Sequence, residues 1–362
     1  MRVARGFDQP KLGQMRTERR HVVNTRGLLA VALMACVALS ARAQTPKPKV
    51  LKLIDEMKIN IGQRTIHSIA FSPDGKLLAI GEDNIHIYNV AGDSPKAVCE
   101  LKSRVAFGVH GLAFSPDGKL LAMGGGDHSI RLWEVNAQKE LFQSRSHQAC
   151  VRSVAFDPAG KVLATGSDDR TVLLWDVADD GKVIERTALR AADSFGDAVR
   201  AVVFTGKGST LFEGCSNGSF RTFTTGNAPK QINVFKAKSG YGDMSVAGSP
   251  DGKIWAITDH KKVLLLSAKG TELGELIGHL ENVRGVAFSP DGKIVASAGE
   301  DGKLAIWSVS TKTLRISKDR PGKFSCVAFA PISTDSEKSD YTVAGGLEDG
   351  SVVILKLGYR TK

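Results

Sequence analysis

Along most of the chain, apolar and polar positions alternate with a period of two, in short runs closed by Gly, Asp or Pro. VRSVAF (151–156) is followed by the turn DPAG, then KVLATGS, the polar turn DDR, TVLLWDV, and a looser run VIERTAL. Alternation of this kind places every second side chain on one face of an extended strand, and the turn residues set its ends. The stretch therefore predicts four consecutive antiparallel strands.

The same pattern recurs along the sequence. AFSPDGKLLA stands at 70–79 and again at 113–122, and AFSPDGKIVA at 287–296. Aligning these phrases gives the anchors Phe71, Phe114, Phe156, Phe204, Gly248, Phe288 and Phe329, separated by 43, 42, 48, 44, 40 and 41 residues. A unit of about 42 residues with four strands is one blade of a β-propeller, and it buries its apolar faces only by stacking against neighbours. Proline presets the turn in SPDG and glycine accepts a positive φ, so the most repeated words are hairpin chemistry.

Three copies also carry a closing Asp-to-Trp pattern: GGDHSIRLWE (125–134), SDDRTVLLWD (167–176) and GEDGKLAIWS (299–308). Gly278–His279 supplies a second hallmark. On these motifs the chain resembles the WD-repeat (G-beta-like) family over residues 48–357, in an exported bacterial form. Tyr88, Phe223, Leu266 and Leu355 stand where four of the copies depart from tryptophan. The resemblance implies an all-β, seven-bladed WD-repeat propeller of four-stranded antiparallel blades. It also implies closure of the ring by the N-terminal strand. The seventh copy spends three strands by SVVILKLGYRTK, and KVLKLIDEMKI precedes the first anchor. Residues 48–58 are thus expected to be the outer strand of the last blade, VLKLID pairing with VVILKL and removing an exposed edge.

Residues 1–43 read differently. Arg16, Arg19, Arg20 and Arg26 lead into GLLAVALMACVALS and then Ala41-Arg42-Ala43. A basic start, an apolar middle and small residues at the end make a cleaved secretory signal peptide, with a single propeller over 44–362. The expected address is periplasmic or extracellular. A lipid anchor through Cys36, a membrane anchor at 27–40 and a true start at Met15 are the alternatives. Removing 1–43 lowers the net charge from +11 to +5, so much of the basicity is export signal and no nucleic-acid partner is expected. After cleavage no transmembrane span, no cofactor and a monomer are expected. Cys99, Cys150, Cys215 and Cys326 show no metal-binding spacing. Two disulfides or four single buried thiols both fit.

His147, Ser167 and Asp169 use the vocabulary of nucleophilic catalysis. The family resemblance implies instead that His147, Ser167, Asp169 and Trp175 form a hydrogen-bonded chain inside a blade. His279, Asp301 and Trp307 would form a chain left incomplete by Gly299. No metal site is expected, since the turns lack the clustered oxygen ligands of a calcium loop. GGGDHS (124–129) lacks the lysine of a phosphate loop.

Function is expected where the sequence varies. In the family, partners dock on the top face, over the central channel. The position matching Arg152 at the channel mouth reads His67, His110, Arg152, Arg200, Met244, Arg284 and Ser325. Neighbouring loops add Arg64, Arg104, Arg145, Arg190, Lys238, Lys318, Arg320 and Lys323, with Phe107, Phe195 and Tyr241. Such a ring suits an acidic protein or peptide, unless its cations pair with Asp168, Glu300 and Glu348 on the adjoining turns. A non-catalytic scaffold is the leading expectation. A channel hydrolase or lactonase, or an envelope glycan-binding propeller, is the alternative.

Overall fold

All the strands of the computed structural model fall into seven four-stranded antiparallel sheets, over the described residues 49–190, 197–205, 208, 210–236, 245–331 and 340–361. The signal peptide expected at 1–43 lies outside that set. No α-helix occurs among the described residues. In six blades the strands follow chain order from the centre outward; in the seventh the order is Phe324–Phe329, Tyr341–Leu347, Ser351–Thr361, with Lys49–Asn60 outermost. The innermost strand of each blade lies beside that of the next, and Phe324–Phe329 of the seventh lies beside Ser68–Phe71 of the first.

The core is divided rather than central. Seven apolar clusters are present, each shared between two neighbouring blades. Between blades two and three, Leu132 and Ala122 pack against Val151, Val154 and Trp175. The alternation read from the sequence therefore points both faces of each sheet into apolar surroundings, as repeat stacking requires. Phe223, Leu266 and Leu355 are buried where other blades carry tryptophan. Tyr88, Phe223 and Leu266 also share its backbone setting, a register shift at the junction with the preceding residue. The departures from tryptophan change the side chain and keep the site.

The SPDG turns behave as expected: Gly75, Gly118, Gly252 and Gly292 have φ of 70°, 73°, 70° and 70°. In each, the serine hydroxyl donates to the aspartate two residues on, at 2.6, 2.6, 2.7 and 2.8 Å.

Ring closure takes the expected form with a shifted register. Lys49–Asn60 pairs antiparallel with Ser351–Thr361, and Val50 to Asp55 lie opposite Arg360 to Lys356 rather than 352–357. A bulge between Leu53 and Asp55 leaves Ile54 without an opposite number. One extra residue turns the following side chains to the other face of the strand. Leu51 accordingly packs with blade six, whereas Met57 and Ile59 pack with blade one. Glu56 adds ion pairs to Lys318 (2.7 Å) and to Arg320, and Lys356 donates to Gly92 O across the seam with blade one.

Leu51→Ala and Met57→Ala should each lower unfolding free energy by about 2–4 kcal/mol, the usual cost of truncating a buried aliphatic side chain. Ile54→Ser, at the 38% exposed bulge position, should change it by less than about 0.5 kcal/mol. Urea unfolding checks this; equal effects at all three positions would contradict the bulge assignment.

Candidate functional site

In six blades the described inner-strand region aims one side chain at the central opening, in five of them through a shared backbone irregularity. In blades two, three, four, six and seven the ladder between the first and second strands skips one residue: His110, Arg152, Arg200, Arg284 and Ser325. A bulge residue of this kind is turned out of the sheet's alternation. His67 takes the same place in blade one, its N–H bonded to Gly81 O at 2.9 Å just before the strand. These six residues line one cavity of about 320 Å³ along the axis. Met244, Lys238, Phe195 and Tyr241 lie outside the described residues.

The expected cationic ring is heavily compensated. Arg152 Nε and Nη2 donate to Asp168 Oδ2 at 2.8 and 2.7 Å, and Arg200 Nη1 stands 3.3 Å from the other oxygen of the same carboxylate. Arg284 Nε donates to Glu300 Oε1 at 2.6 Å. Both carboxylates come from the turns between second and third strands, the pairing that sequence reading held as the alternative. The mouth is thus a network of fixed ion pairs, in which Arg152 Nη1 also reaches His110 Nδ1 at 3.4 Å. Ser325 turns inward to the backbone, donating to Gly346 O at 3.1 Å and to Ile66 O.

The two histidines meet with ring centroids 4.6 Å apart. Burial, then His67 and Arg152, depress His110 from its ordinary 6.5 to about 4. Burial and Arg152 also lower His67. Both are therefore neutral near pH 7 and add no cationic charge.

Among the surrounding cations, Arg64 pairs with Asp83 and Arg145 with Asp127 (3.3 Å). Lys318 and Arg320 are committed to Glu56 in the closing strand. No group of three or more His, Cys, Asp or Glu is placed to hold a metal among the described residues. Cys99, Cys150, Cys215 and Cys326, the cysteines among the described residues, are free thiols.

The internal chains differ from expectation in their middle link. His147 Nδ1 bonds Asp169 Oδ2 at 2.8 Å, but His147 Nε2 meets Thr165 Oγ1 at 2.8 Å, which also accepts from Trp175 Nε1 at 3.0 Å. Ser167 is not that link. It sits two residues on, at the strand end, donating to Ala149 O and accepting from the Asp169 N–H, both at 3.1 Å. Blade six, expected to be incomplete at Gly299, is complete. Ser297 Oγ lies 2.7 Å from both His279 Nε2 and Trp307 Nε1, and His279 Nδ1 lies 3.0 Å from Asp301. Thr165 and Ser297 each stand ten residues before their tryptophan, a signal the sequence does contain. In blade two that position is Met123, and Val105 stands in place of the histidine. The Trp133 Nε1 is left buried without a partner, inside an apolar cluster with both.

Hydroxyl, imidazole and carboxylate stand in catalytic order at Thr165, His147 and Asp169. Yet Thr165 is 0% exposed and His147 3%, and the hydroxyl oxygen is already engaged by Trp175. The arrangement satisfies buried polar groups and offers no substrate an approach. Burial alone would raise the Asp169 carboxyl; hydrogen bonds from His147, Thr171 and the Gln148 N–H outweigh it and hold it below the ordinary range. Asp301 is lowered against the same penalty by the Leu280 N–H and His279.

Blade four replaces the chain with a buried ion pair. Glu213, also ten residues before the tryptophan position, lies 3.2 Å from Arg221, and the Cys215 thiol donates to Glu213 at 3.1 Å. Burial pushes that thiol well above its ordinary value, so it is inert rather than nucleophilic.

Thr165→Val and Ser297→Ala, which strand a histidine and a tryptophan donor, should each cost about 1–3 kcal/mol of stability in urea unfolding. Losses below about 0.5 kcal/mol would remove the bracing role. His110 binds a proton less readily folded than unfolded, so its contribution is complete above 6.5 and lost as pH falls toward 4. Asp169 and Asp301, depressed in the fold, add a further loss below the ordinary 3.8. Unfolding measured from pH 7 to 3 should show both phases, and His110→Gln should shrink only the first, leaving the share that the depressed His67 contributes. A wild-type curve level down to pH 4 would contradict the buried neutral imidazole.

Comparison with known proteins agrees with this architecture. The model of the WD domain, G-beta repeat, matches residues 57–88, 98–134, 138–176 and 270–308. The chain is 30% identical over 116 residues to mouse WD repeat-containing protein 90, an alignment covering 32% of this chain and 6% of that protein. It is 24% identical over 140 residues to the Dictyostelium discoideum periodic tryptophan protein 2 homolog (38% and 15%). With the nuclear distribution protein PAC1 of Arthroderma benhamiae it shares 33% over 93 residues (25% and 19%). The aligned part thus spans less than a fifth of each relative's length, and all three are eukaryotic. The chain therefore resembles the WD domain, G-beta repeat, in four stretches, and its described strands form the seven four-stranded blades of a β-propeller closed into a ring.

Proposed function

We propose that this propeller is a non-catalytic scaffold that holds a protein or peptide segment, acidic in character, on the face bearing the channel mouth. The observation that carries the reading is Phe107. It is 79% exposed, in the loop entering blade two, with φ of 66°. A bulky residue in the left-handed region is strained by about 1–2 kcal/mol, and such strain concentrates at functional positions. The next residue, Gly108 at φ 87°, fits against the channel: a Cβ there would stand 2.3 Å from the His67 ring. The exposed ring is thereby tied to the mouth. Ile277 and Leu280, 69% and 64% exposed, add apolar surface where the chain passes from blade five to blade six. Arg64 and Arg145, exposed despite their carboxylate partners, supply the rim charge that favours acidic segments.

WD repeat-containing relatives support a protein-binding scaffold in general; the acidic partner and the choice of face are the finer part of the proposal. With residues 1–43 read as a cleaved leader, the scaffold works outside the cytoplasm.

Phe107→Gly removes the ring and the strain together. It should leave the melting temperature equal or higher while weakening binding at least tenfold, as for an aromatic anchor. The probe is a panel of peptides selected against the full chain from an unbiased library. Enrichment of Asp and Glu, and loss of binding in Phe107→Gly and Arg145→Glu, are the expected results. Selected peptides that are neutral or basic, or that bind Phe107→Gly undiminished, would overturn the proposal.

A further inference from the structure

The opposite face carries a site of different chemistry. In an antiparallel blade, the turns after the first and third strands lie at the end away from the channel-mouth turns. There the turn between Lys303–Ser308 and Leu314–Asp319 of blade six leans over the flank of blade five. It leaves a cavity of about 570 Å³, within the roughly 300–1,000 Å³ usual for small-molecule sites. Ile254, Leu265, Leu273 and Val309 form its walls, and Lys293, Lys312, Arg315 and Tyr359 its polar rim. No aspartate or glutamate lines it.

That combination is not a general property of the spaces between blades. The corresponding cavity between blades two and three is lined by Asp117, Glu134, Asp179 and Asp180, and its lysines are spent: Lys119 on Asp117 at 3.5 Å, Lys161 on Asp179. At the blade five–six cavity, among the described residues, only Lys293 is so paired, with Asp291 at 3.0 Å. Among the described residues Arg315 donates to the Thr311 hydroxyl alone, at 3.1 Å.

Lys312 is held in place by the backbone. It takes φ of 57°, and its N–H donates to Ser308 O at 2.8 Å. Its stem runs over Gly274, where a Cβ would stand 2.4 Å from Lys312 Cε. Gly274 itself has φ of 140° beside the register shift of the blade-five outer strand. Any larger residue at 274 would displace the lysine from the cavity. Turn, bulge and glycine together bring an ammonium and a guanidinium to the rim of an apolar hollow.

We infer that this cavity binds a small amphipathic carboxylate, its apolar body against Ile254, Leu265 and Leu273 and its anionic head between Lys312 and Arg315. An alkyl chain of roughly ten carbons fits the volume, and a carboxylate matches the planar donors of arginine. The site is independent of the channel mouth.

The test uses the full chain and three probes: decanoate, decanol and acetate, titrated calorimetrically. Decanoate should bind once per chain, with decanol and acetate at least tenfold weaker, since each offers only half of the chemistry. Lys312→Ala with Arg315→Ala should weaken decanoate at least tenfold at unchanged melting temperature, and Gly274→Val should do the same by displacing Lys312. Phe107→Gly should leave decanoate binding intact, which separates this site from the proposed docking face. Should a cavity variant fold poorly, hydrogen exchange on the wild-type chain still decides: decanoate should protect amides within 272–277 and 311–315. Equal affinity for decanol and decanoate, undiminished binding in the double variant, or protection confined to other blades would overturn the assignment.

Discussion

A propeller blade cannot stand alone: its sheet is apolar on both faces, and each face is covered only by the next blade. The seven clusters between neighbours form a closed cycle, which holds only if the seventh blade is complete. The C-terminal part of the chain supplies three of its strands, and Lys49–Asn60 supplies the fourth. The pairing of that strand with Ser351–Thr361 therefore joins the first and last described strands at one sheet. The bulge at Ile54 lets a single strand serve two seams, sending Leu51 to blade six and Met57 and Ile59 to blade one. Glu56 then fastens the same strand to Lys318 and Arg320.

With the ring closed, local irregularities acquire fixed positions in space. The inner-strand bulge, repeated in five blades, becomes a circle of side chains around one axis. The carboxylates of Asp168 and Glu300 hold the arginines of that circle in place, so it is an ordered polar surface. Behind it, the Thr165 and Ser297 chains lock turn, strand and tryptophan together. Blade two does without such a chain because Val105 and Met123 convert the same space to apolar packing. Polar bracing and apolar filling are thus two solutions for one position, at the cost there of an unpartnered Trp133 N–H.

Much of the fold was legible because its signals are local and repeated. Period-two alternation, the Pro-Gly turns and the anchor spacing each fix an element without knowledge of distant contacts, and the seven anchors gave the blade number. The closing strand was legible by bookkeeping of strands, though its bulge was not, since nothing near Ile54 marks an extra residue. The site was legible in position and only partly in chemistry. The channel residues were identified by alignment, but their charge state depends on Asp168, 16 residues from Arg152 in sequence. The bracing hydroxyl stands two residues before Ser167, the serine the motif suggests, and Thr165 and Ser297 reveal themselves only by a common distance to tryptophan. The sequence shows Phe107 only as an aromatic in a loop; its strained backbone and exposure are properties of folded geometry alone.

Hydrogen exchange on the full chain tests the dependence of the ring on its closing strand most directly. The amides of Lys49–Asn60 that pair with Ser351–Thr361 should open with the same free energy and denaturant dependence as those of the inner strands, such as Val151–Phe156. That is the behaviour of one cooperative unit. If Lys49–Asn60 exchanges rapidly and independently while the inner strands remain protected, closure is an accessory and the account is contradicted.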